Sequence, residues 1–244
     1  YDLLISILPF EKKYFVKYGL RTIYIGHPLV TLQTQANKSY ISDFIEKYSI
    51  TKNFKIITIT LGSRLSEVKK HLPIIAQTLN MLYKNERNII ILLATFDHFK
   101  EVIKIGFMSV SLRYFFITQD HEKQISYQIC DLAIAKSGTN NIEICNHKRN
   151  IITIYKANWL TYFIAKLFLK TKYINIINIM NQREIIPELV QRKFTVKSLL
   201  FHIYKYLNDE NIKSSQIRSI SKSLEILESR KFNKQLVDEI IKID

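Results

Sequence analysis

The sequence has little glycine, proline and cysteine: five glycines, four prolines and two cysteines among 244 residues. Two cysteines are too few for a disulfide framework. Cys130 and Cys145 also lack the spacing of metal ligands, which favours reduced, buried thiols in a cytosolic protein. The composition excludes collagen-like and low-complexity classes. Because glycine is so scarce, we expect each one to stand where the backbone geometry requires it.

Acidic residues are also few, with 21 Asp and Glu against 36 Lys and Arg, a net charge of +15. This excess indicates an anionic partner such as nucleic acid, a phosphorylated ligand or an acidic membrane surface. No apolar run reaches the roughly 20 residues that cross a bilayer, and no segment has the pattern of a signal peptide. The apolar share of 47% is typical of a globular protein with a substantial core.

Short apolar runs alternate with amphipathic stretches from residue 55 onward. The pattern predicts strands over 55–61, 88–94, 114–118, 131–135 and 150–155. It predicts helices over 65–84, 97–104, 119–129, 139–147 and 158–170. Such alternation indicates an α/β fold with a parallel sheet. Beyond Pro187 the pattern is helical, over 195–207, 214–229 and 232–242.

The first 30 residues hold two apolar runs, 3–8 and 21–25, that have no local partner. The chain opens on Tyr1-Asp2 without an initiator Met, so it reads as starting within a domain. We therefore expect residues 1–30 to end a preceding α/β domain, residues 31–193 to form a Rossmann-like domain, and residues 194–244 to be C-terminal helices.

Two glycine turns follow predicted strands and precede helices, where open parallel sheets bind ligands. In Gly62-Ser63-Arg64, the backbone can approach a phosphate and the arginine can bind it through two hydrogen bonds. Ser137-Gly138-Thr139 repeats this arrangement, and Glu143 follows one turn into the helix, where a carboxylate can bind ribose hydroxyls. Either turn alone equally fits a simple helix cap. Glu143 also fits a solvated helix residue or a first-turn carboxylate that complements the helix dipole. Together they predict a pyrophosphate site.

Six short motifs in order resemble lipid-A-disaccharide synthase, a GT-B glycosyltransferase family of Gram-negative bacteria. They are Ile7-Leu-Pro-Phe-Glu11, Ile25-Gly-His-Pro-Leu29, Leu61-Gly-Ser-Arg-Leu-Ser-Glu67, Ser137-Gly-Thr139 with Ile142-Glu143, Tyr155-Lys156, and Ile186-Pro-Glu-Leu-Val-Gln191. The resemblance covers essentially the whole chain but only the later part of that enzyme. Three positions depart from the family pattern: Leu61 and Ile177 replace prolines, and Val30 replaces an acidic residue.

The resemblance implies two Rossmann-like domains and the transfer of 2,3-diacylglucosamine from its UDP derivative to 2,3-diacylglucosamine 1-phosphate, forming a β-1,6 disaccharide and UDP. It implies that both glycine turns contact the diphosphate and that Glu143 holds the ribose. Asn178, Glu188 and Gln191 would close the site. No cofactor or metal is expected, and a homo-oligomer is compatible with the resemblance.

Inverting transfer needs a general base. The resemblance places that base in the N-terminal domain, so no general base is assigned to this chain. For His27, a hydrogen-bonded turn histidine is the expected state. The other histidines have no partner acid at a useful spacing.

Residues 146–183 contain seven Lys and Arg and no acidic residue, with aromatic residues between them. This pattern suits a helix on an anionic membrane, with Trp159, Phe163, Lys166 and Lys170 facing the lipid. With this pattern, the resemblance implies a peripheral position on the cytoplasmic face of the inner membrane. The same pattern equally fits a core helix with a solvated lysine face. No RNA-binding module is present, so no nucleic acid is expected.

Two alternatives to the enzyme stay open on the sequence alone. One is an inactive or split fragment that binds nucleotide without transferring a sugar. The other is a basic α/β domain that binds nucleic acid with a steep salt dependence.

Overall fold

The computed structural model describes residues 1–31, 36–157 and 172–228, together with positions 237 and 241. A small parallel sheet lies at the N-terminus. It pairs strand β1 (Leu4–Ser6) with strand β2 (Thr22–Tyr24), and helix α1 (Lys12–Val16) lies between them in the chain. The two apolar runs that had no local partner therefore pair with each other.

The main sheet has six parallel strands in the order β5-β4-β3-β6-β7-β8. Their bounds are β3 (Lys55–Thr60), β4 (Ile89–Ala94), β5 (Arg113–Ile117), β6 (Leu132–Lys136), β7 (Asn150–Tyr155) and β8 (Glu188–Val190). The order changes direction at β3, where the chain first builds outward to β5 and then continues on the other side with β6. Such a switch point is where open α/β sheets bind ligands.

Strand β4 is continuously apolar, and β3 is buried from Ile56 to Thr60, because helices cover both faces of the sheet. Alternate side chains enter different cores, as the pleat requires. On β4, Ile89, Ile91 and Leu93 join one core, while Ile90 and Leu92 join the core on the other face.

Helices cover both faces of this sheet. They are α2 (Pro28–Thr31), α3 (Lys38–Lys47), α4 (Leu65–Asn85), α5 (Lys100–Gly106), α6 (Asp120–Ile129), α7 (Asn140–Asn146), α8 (Ile176–Asn181), α9 (Val196–Asn208) and α10 (Glu210–Leu227). Side chains cap several of them: Thr195 Oγ1 accepts from Ser198 N at α9, and Asp209 Oδ1 accepts from Ile212 N at α10.

The N-terminal piece is tied to the helices of the main sheet. The Tyr24 hydroxyl donates to the carbonyl of Ile226 at 2.7 Å, and His27 N donates to the carbonyl of Leu227 at 2.8 Å. Asn146 Nδ2 on α7 donates to the carbonyl of Leu29 at 3.3 Å. The domain boundaries expected from the sequence stay a prediction.

Candidate functional site

A cavity of about 570 Å³ opens at the carboxyl ends of β3, β4 and β6. Five residues singled out in the two glycine turns and the following helix line it: Gly62, Ser63, Gly138, Thr139 and Glu143. The rest of the lining comes from Thr60, Ala94, Thr95, Phe96, Asp120, Lys123, Gln124, Tyr127, Lys136 and Asn140. The cavity is therefore lined by both glycine turns and by helix α6, in which no candidate site residue was identified from the sequence.

The first turn is built around Glu67, one turn into α4. Gly62 has φ of +128°, and a Cβ on it would lie 2.5 Å from Glu67 Oε2. The same oxygen accepts a hydrogen bond from Ser63 N at 3.1 Å. Gly62 is thus required by the fold, because its missing side chain leaves room for the carboxylate that holds the turn.

Glu67 also fixes Lys136, the last residue of β6. Lys136 Nζ lies 3.0 Å from Glu67 Oε1, and both side chains are largely buried. Burial alone would raise the pKa of Glu67, but Lys136 and the backbone N–H groups of Ser63 and Arg64 together hold it below its ordinary value of 4.5. The ion pair places a cation in the cavity between the two glycine turns, at a position that no motif marked.

The second turn is open. Gly138 and Thr139 are exposed, and Thr139 begins α7 without capping it through its side chain. A Cβ on Gly138 would meet only Asn140 Oδ1 at 3.4 Å and Lys136 atoms at 4.0 Å, which are ordinary contacts. Ser137 Oγ instead donates to the carbonyl of Ile174 at 3.2 Å, so this hydroxyl binds the segment that precedes α8. Gly138, unlike Gly62, is not required by the fold.

Glu143 lines the cavity from helix α7. Gln124 Nε2 donates to Glu143 Oε2 at 3.5 Å, and Gln124 Oε1 lies 3.1 Å from His147 Nε2. The hydrogen bonds therefore run from His147 through Gln124 to the carboxylate. Partial burial raises the pKa of Glu143, and burial together with Arg149 lowers the pKa of His147 to about 4.

Arg64 is the N-cap residue of α4, and its side chain is exposed and does not line the cavity. It lies next to Ser63, at the mouth of the first turn. Its place beside the cavity, with its side chain in solvent, leaves its proposed contact with a ligand a prediction.

The structure does not bring Asn178, Glu188 and Gln191 to this cavity. Glu188 accepts hydrogen bonds from Ile174 N at 3.0 Å, Asn175 N at 2.9 Å and Asn178 Nδ2 at 2.8 Å. Asn178 is fully buried, and its Oδ1 accepts from the backbone N–H groups of residues 185 and 186. We call Asn178, Glu188 and the backbone groups that they bind the Asn178–Glu188 cluster. It joins the segments before α8 and before β8.

Gln191 follows β8 with φ of +52°. Within the described residues, its Nε2 is buried and has no hydrogen-bond partner. Gln191 does not line the cavity, and the role that the resemblance implies for it stays a prediction.

Two histidines near the strand ends are structural. His71 Nε2 accepts from Lys156 N at 2.9 Å, so Nδ1 carries the proton and donates to the carbonyl of Leu61 at 2.6 Å. This neutral ring links the loop after β3 to the loop after β7. His27 Nδ1 accepts from Leu29 N at 3.2 Å, as expected for a turn histidine. Burial is the main cause that lowers the pKa of both rings.

The four residues expected to face lipid, Trp159, Phe163, Lys166 and Lys170, lie outside the described residues. Within the described ranges, no helix is both long and apolar enough to cross a bilayer. The described part of the chain also contains no group of three or more His, Cys, Asp or Glu side chains placed to hold a metal ion.

Comparison with protein families and curated proteins gives concordant matches. The family model of lipid-A-disaccharide synthetase matches residues 1–242. The lipid-A-disaccharide synthase of Rickettsia prowazekii (strain Madrid E) is 33% identical over 246 residues, which is 99% of this chain and 63% of that protein. The enzyme of Rickettsia bellii (strain OSU 85-389) is 38% identical over 194 residues, which is 78% of this chain and 49% of that protein. The chain thus spans only part of the length of its curated relatives.

Solved structures share the fold at low sequence identity. Staphylococcus aureus MnaA in a co-structure with UDP has a TM-score of 0.72 at 11% identity, covering 98% of this chain and 60% of that one. WaaG, a glycosyltransferase involved in lipopolysaccharide biosynthesis, has a TM-score of 0.60 at 11% identity, covering 98% and 62%. These likenesses confirm the predicted α/β fold of GT-B type, with a Rossmann-like parallel sheet and C-terminal helices.

Proposed function

The chain belongs to the lipid-A-disaccharide synthase family, and we propose that it is the UDP-sugar-binding part of such a glycosyltransferase. The observation that carries the proposal is the cavity at the carboxyl edge of the sheet. It gathers the turn at Gly62, the cation of Lys136, the turn at Gly138 and the carboxylate of Glu143.

These groups match the parts of a nucleoside diphosphate. Ser63 lies at the N-terminus of the 21-residue helix α4, where the helix dipole favours negative charge. Lys136, which is ion-paired with Glu67, adds a cation beside it. We place the diphosphate there, with Arg64 reaching it from the rim. Glu143 accepts from the ribose hydroxyls, and the hydrogen bond from Gln124 orients its carboxylate.

The proposed reaction transfers 2,3-diacylglucosamine from UDP-2,3-diacylglucosamine to 2,3-diacylglucosamine 1-phosphate. The acceptor hydroxyl attacks the anomeric carbon, the bond to the diphosphate breaks, and UDP leaves with the electron pair. Negative charge then grows on the diphosphate, where Lys136 and the N-terminus of α4 stabilise it. In this scheme the charge is neutralised by protein groups and not by a metal ion or other cofactor. The general base is assigned to a part of the enzyme outside this chain.

Both substrates carry acyl chains, so we propose that the protein works at an anionic membrane surface, on the cytoplasmic face of the inner membrane. The acid-free segment 146–183 supports this through its seven cations and its aromatic residues. Within it, Trp159, Phe163, Lys166 and Lys170 remain the proposed lipid-facing residues.

Calorimetric titration with UDP tests the donor site. We expect Glu143→Ala to lower UDP affinity at least tenfold, because the ribose loses its charged acceptor; a tenfold loss is about 1.4 kcal/mol. Arg64→Ala should lower it less, since the side chain is exposed. Glu225→Ala, on the exposed face of α10, is the matched control and should leave the affinity unchanged.

A folded wild-type chain with no affinity for UDP contradicts the proposal. So does equal affinity for UDP in wild type and Glu143→Ala. A separate assay of disaccharide formation, with and without the N-terminal part supplied by a relative, distinguishes an enzyme from a fragment that binds nucleotide without transferring sugar.

A further inference from the structure

Thr95 directly follows β4 and lines the cavity. Its side chain is almost completely buried, with 4% exposure, and its backbone N–H donates to the carbonyl of Ile117 at 3.0 Å. Its hydroxyl oxygen, however, is buried and has no hydrogen-bond partner within the described residues. A buried, unpaired hydroxyl is costly for a fold, so it calls for an explanation.

Other buried threonines of the same sheet are paired. Thr60 Oγ1, which lines the same cavity from the end of β3, accepts from Asn140 Nδ2 at 2.7 Å. Thr58 Oγ1 donates to the carbonyl of Ser126 at 3.0 Å, and Thr153 Oγ1 donates to Asn141 Oδ1 at 2.8 Å. The fold therefore satisfies such hydroxyls elsewhere, and Thr95 differs from them in having no hydrogen-bond partner within the described residues.

The other unpaired buried polar atoms of the described residues lie elsewhere. They belong to Arg149, Gln191 and His202, none of which lines this cavity. The unpaired group of Thr95 thus coincides with the site for which a ligand is already proposed. That coincidence links the hydroxyl to binding and not to a general imperfection of packing.

The position of Thr95 selects the part of the ligand that it meets. The two glycine turns follow β3 and β6, whereas β4 lies on the side of β3 away from β6. Phe96, which follows Thr95 in the chain, and the α6 residues Lys123 and Tyr127 also line the cavity. Lys123 Nζ lies 4.6 Å from the centre of the Phe96 ring and pairs with Asp120. This end of the cavity is lined by aromatic rings and lies beyond the diphosphate position.

We propose that Thr95 is a ligand-binding residue whose hydroxyl hydrogen-bonds the nucleoside half of the donor nucleotide. The proposal rests on the proposed function, since it takes the ligand to be a UDP-sugar with its diphosphate between the glycine turns. Its hydroxyl can donate and accept, so it suits either a base carbonyl or a sugar hydroxyl. Without ligand, the Thr95 hydroxyl has no partner within the described residues, and the bound nucleoside supplies one.

The test compares Thr95→Val with Thr95→Ser, using UDP and inorganic pyrophosphate as ligands. Valine keeps the shape of threonine but removes the hydroxyl, while serine keeps the hydroxyl. We expect Thr95→Val to bind UDP about tenfold more weakly or worse, because a buried ligand group is left unpaired. Thr95→Ser should stay within about threefold of wild type by the same reasoning. Pyrophosphate, which lacks the nucleoside, should bind equally to all three proteins.

Thermal unfolding without ligand gives the second readout. Because the hydroxyl has no partner within the part of the chain that the structure describes, Thr95→Val should unfold at the same temperature as wild type or higher. A lower unfolding temperature would show that the fold itself uses the hydroxyl, and it would overturn the proposal. So would wild-type affinity of the valine variant for UDP, or an equal loss for pyrophosphate. A wild-type protein that binds no UDP overturns the proposed function as well, whereas the other outcomes leave that function intact.

Discussion

The cavity and the Asn178–Glu188 cluster are both rich in polar groups, but within the described part of the chain the cavity leaves some of its groups unpaired, whereas the cluster pairs them with each other and with the backbone. In the cluster, Glu188 and Asn178 form hydrogen bonds with backbone groups and with each other. In the cavity, Gly138 and Thr139 are open and Thr95 Oγ1 is unpaired within the described residues. Closed networks stabilise a fold, whereas open donors and acceptors are available to a ligand. The comparison separates a structural cluster from the proposed binding site.

Removing Glu188 should give the largest effect and should act on stability. Glu188→Ala leaves Ile174 N, Asn175 N and Asn178 Nδ2 without their acceptor in a buried region. We expect a loss of about 3 kcal/mol or more in the free energy of unfolding, measured by urea denaturation. Glu225→Ala on the exposed face of α10 is the control and should change it by less than about 0.5 kcal/mol.

The opposite result would contradict the distinction between the cluster and the cavity. If Glu188→Ala kept its stability and instead lost UDP affinity, the cluster would belong to the ligand site, as the family resemblance alone had implied.

The two glycines sharpen the contrast within the cavity itself. Gly62→Ala adds a Cβ at φ of +128° and drives it into Glu67 Oε2, so we expect a loss of about 2 kcal/mol in unfolding free energy. Gly138→Ala meets only ordinary contacts and should change stability by less than about 0.5 kcal/mol. Urea denaturation of both variants measures the difference, and similar losses in the two would contradict it.

The pH dependence of stability should reveal the burial of His147, which is linked to Glu143 through Gln124. The folded pKa of His147 is about 4 against an ordinary value of 6.5. Between these values the unfolded chain binds a proton that the folded protein does not, so stability falls as the pH falls from 6.5 towards 4. One such histidine contributes at most about 1.4 kcal/mol per pH unit.

His147→Gln should therefore flatten the fall in unfolding free energy between pH 6.5 and 5 by about 1 kcal/mol per pH unit. The substitution should not abolish the pH dependence of stability, because burial also lowers the pKa of His27 and His71. An unchanged slope in the variant would contradict the buried, neutral state assigned to His147. His98, which is exposed on the loop after β4, offers the control His98→Gln.

Long, strongly patterned elements could be predicted from the sequence. The apolar run at 55–61 and the helical spacing at 65–84 correspond closely to β3 and α4. Helix α3, the six-residue α8 and the three-residue β8 were not predicted. The short elements carry too little periodicity to detect, and β8 depends on pairing with β7 across the sheet edge.

The site was predictable where glycine stands at a strand end, and not elsewhere. Gly62 and Gly138 marked the two turns, and Glu143 followed from its spacing to the second. Lys136, Thr95 and Gln124 belong to no local pattern, because the sheet order and not the chain brings them together. The reason for Gly62 also differs from the expected one: its missing side chain admits Glu67, and not a ligand alone.

The most direct test of the proposed donor site is the structure of a crystal of this chain that has been soaked with UDP. We expect the diphosphate within hydrogen-bond distance of Ser63 Oγ and Lys136 Nζ, the ribose on Glu143, and the nucleoside at the end of the cavity next to Thr95. Density for UDP at the Asn178–Glu188 cluster, or in this cavity with the diphosphate away from Ser63 and Lys136, would contradict it.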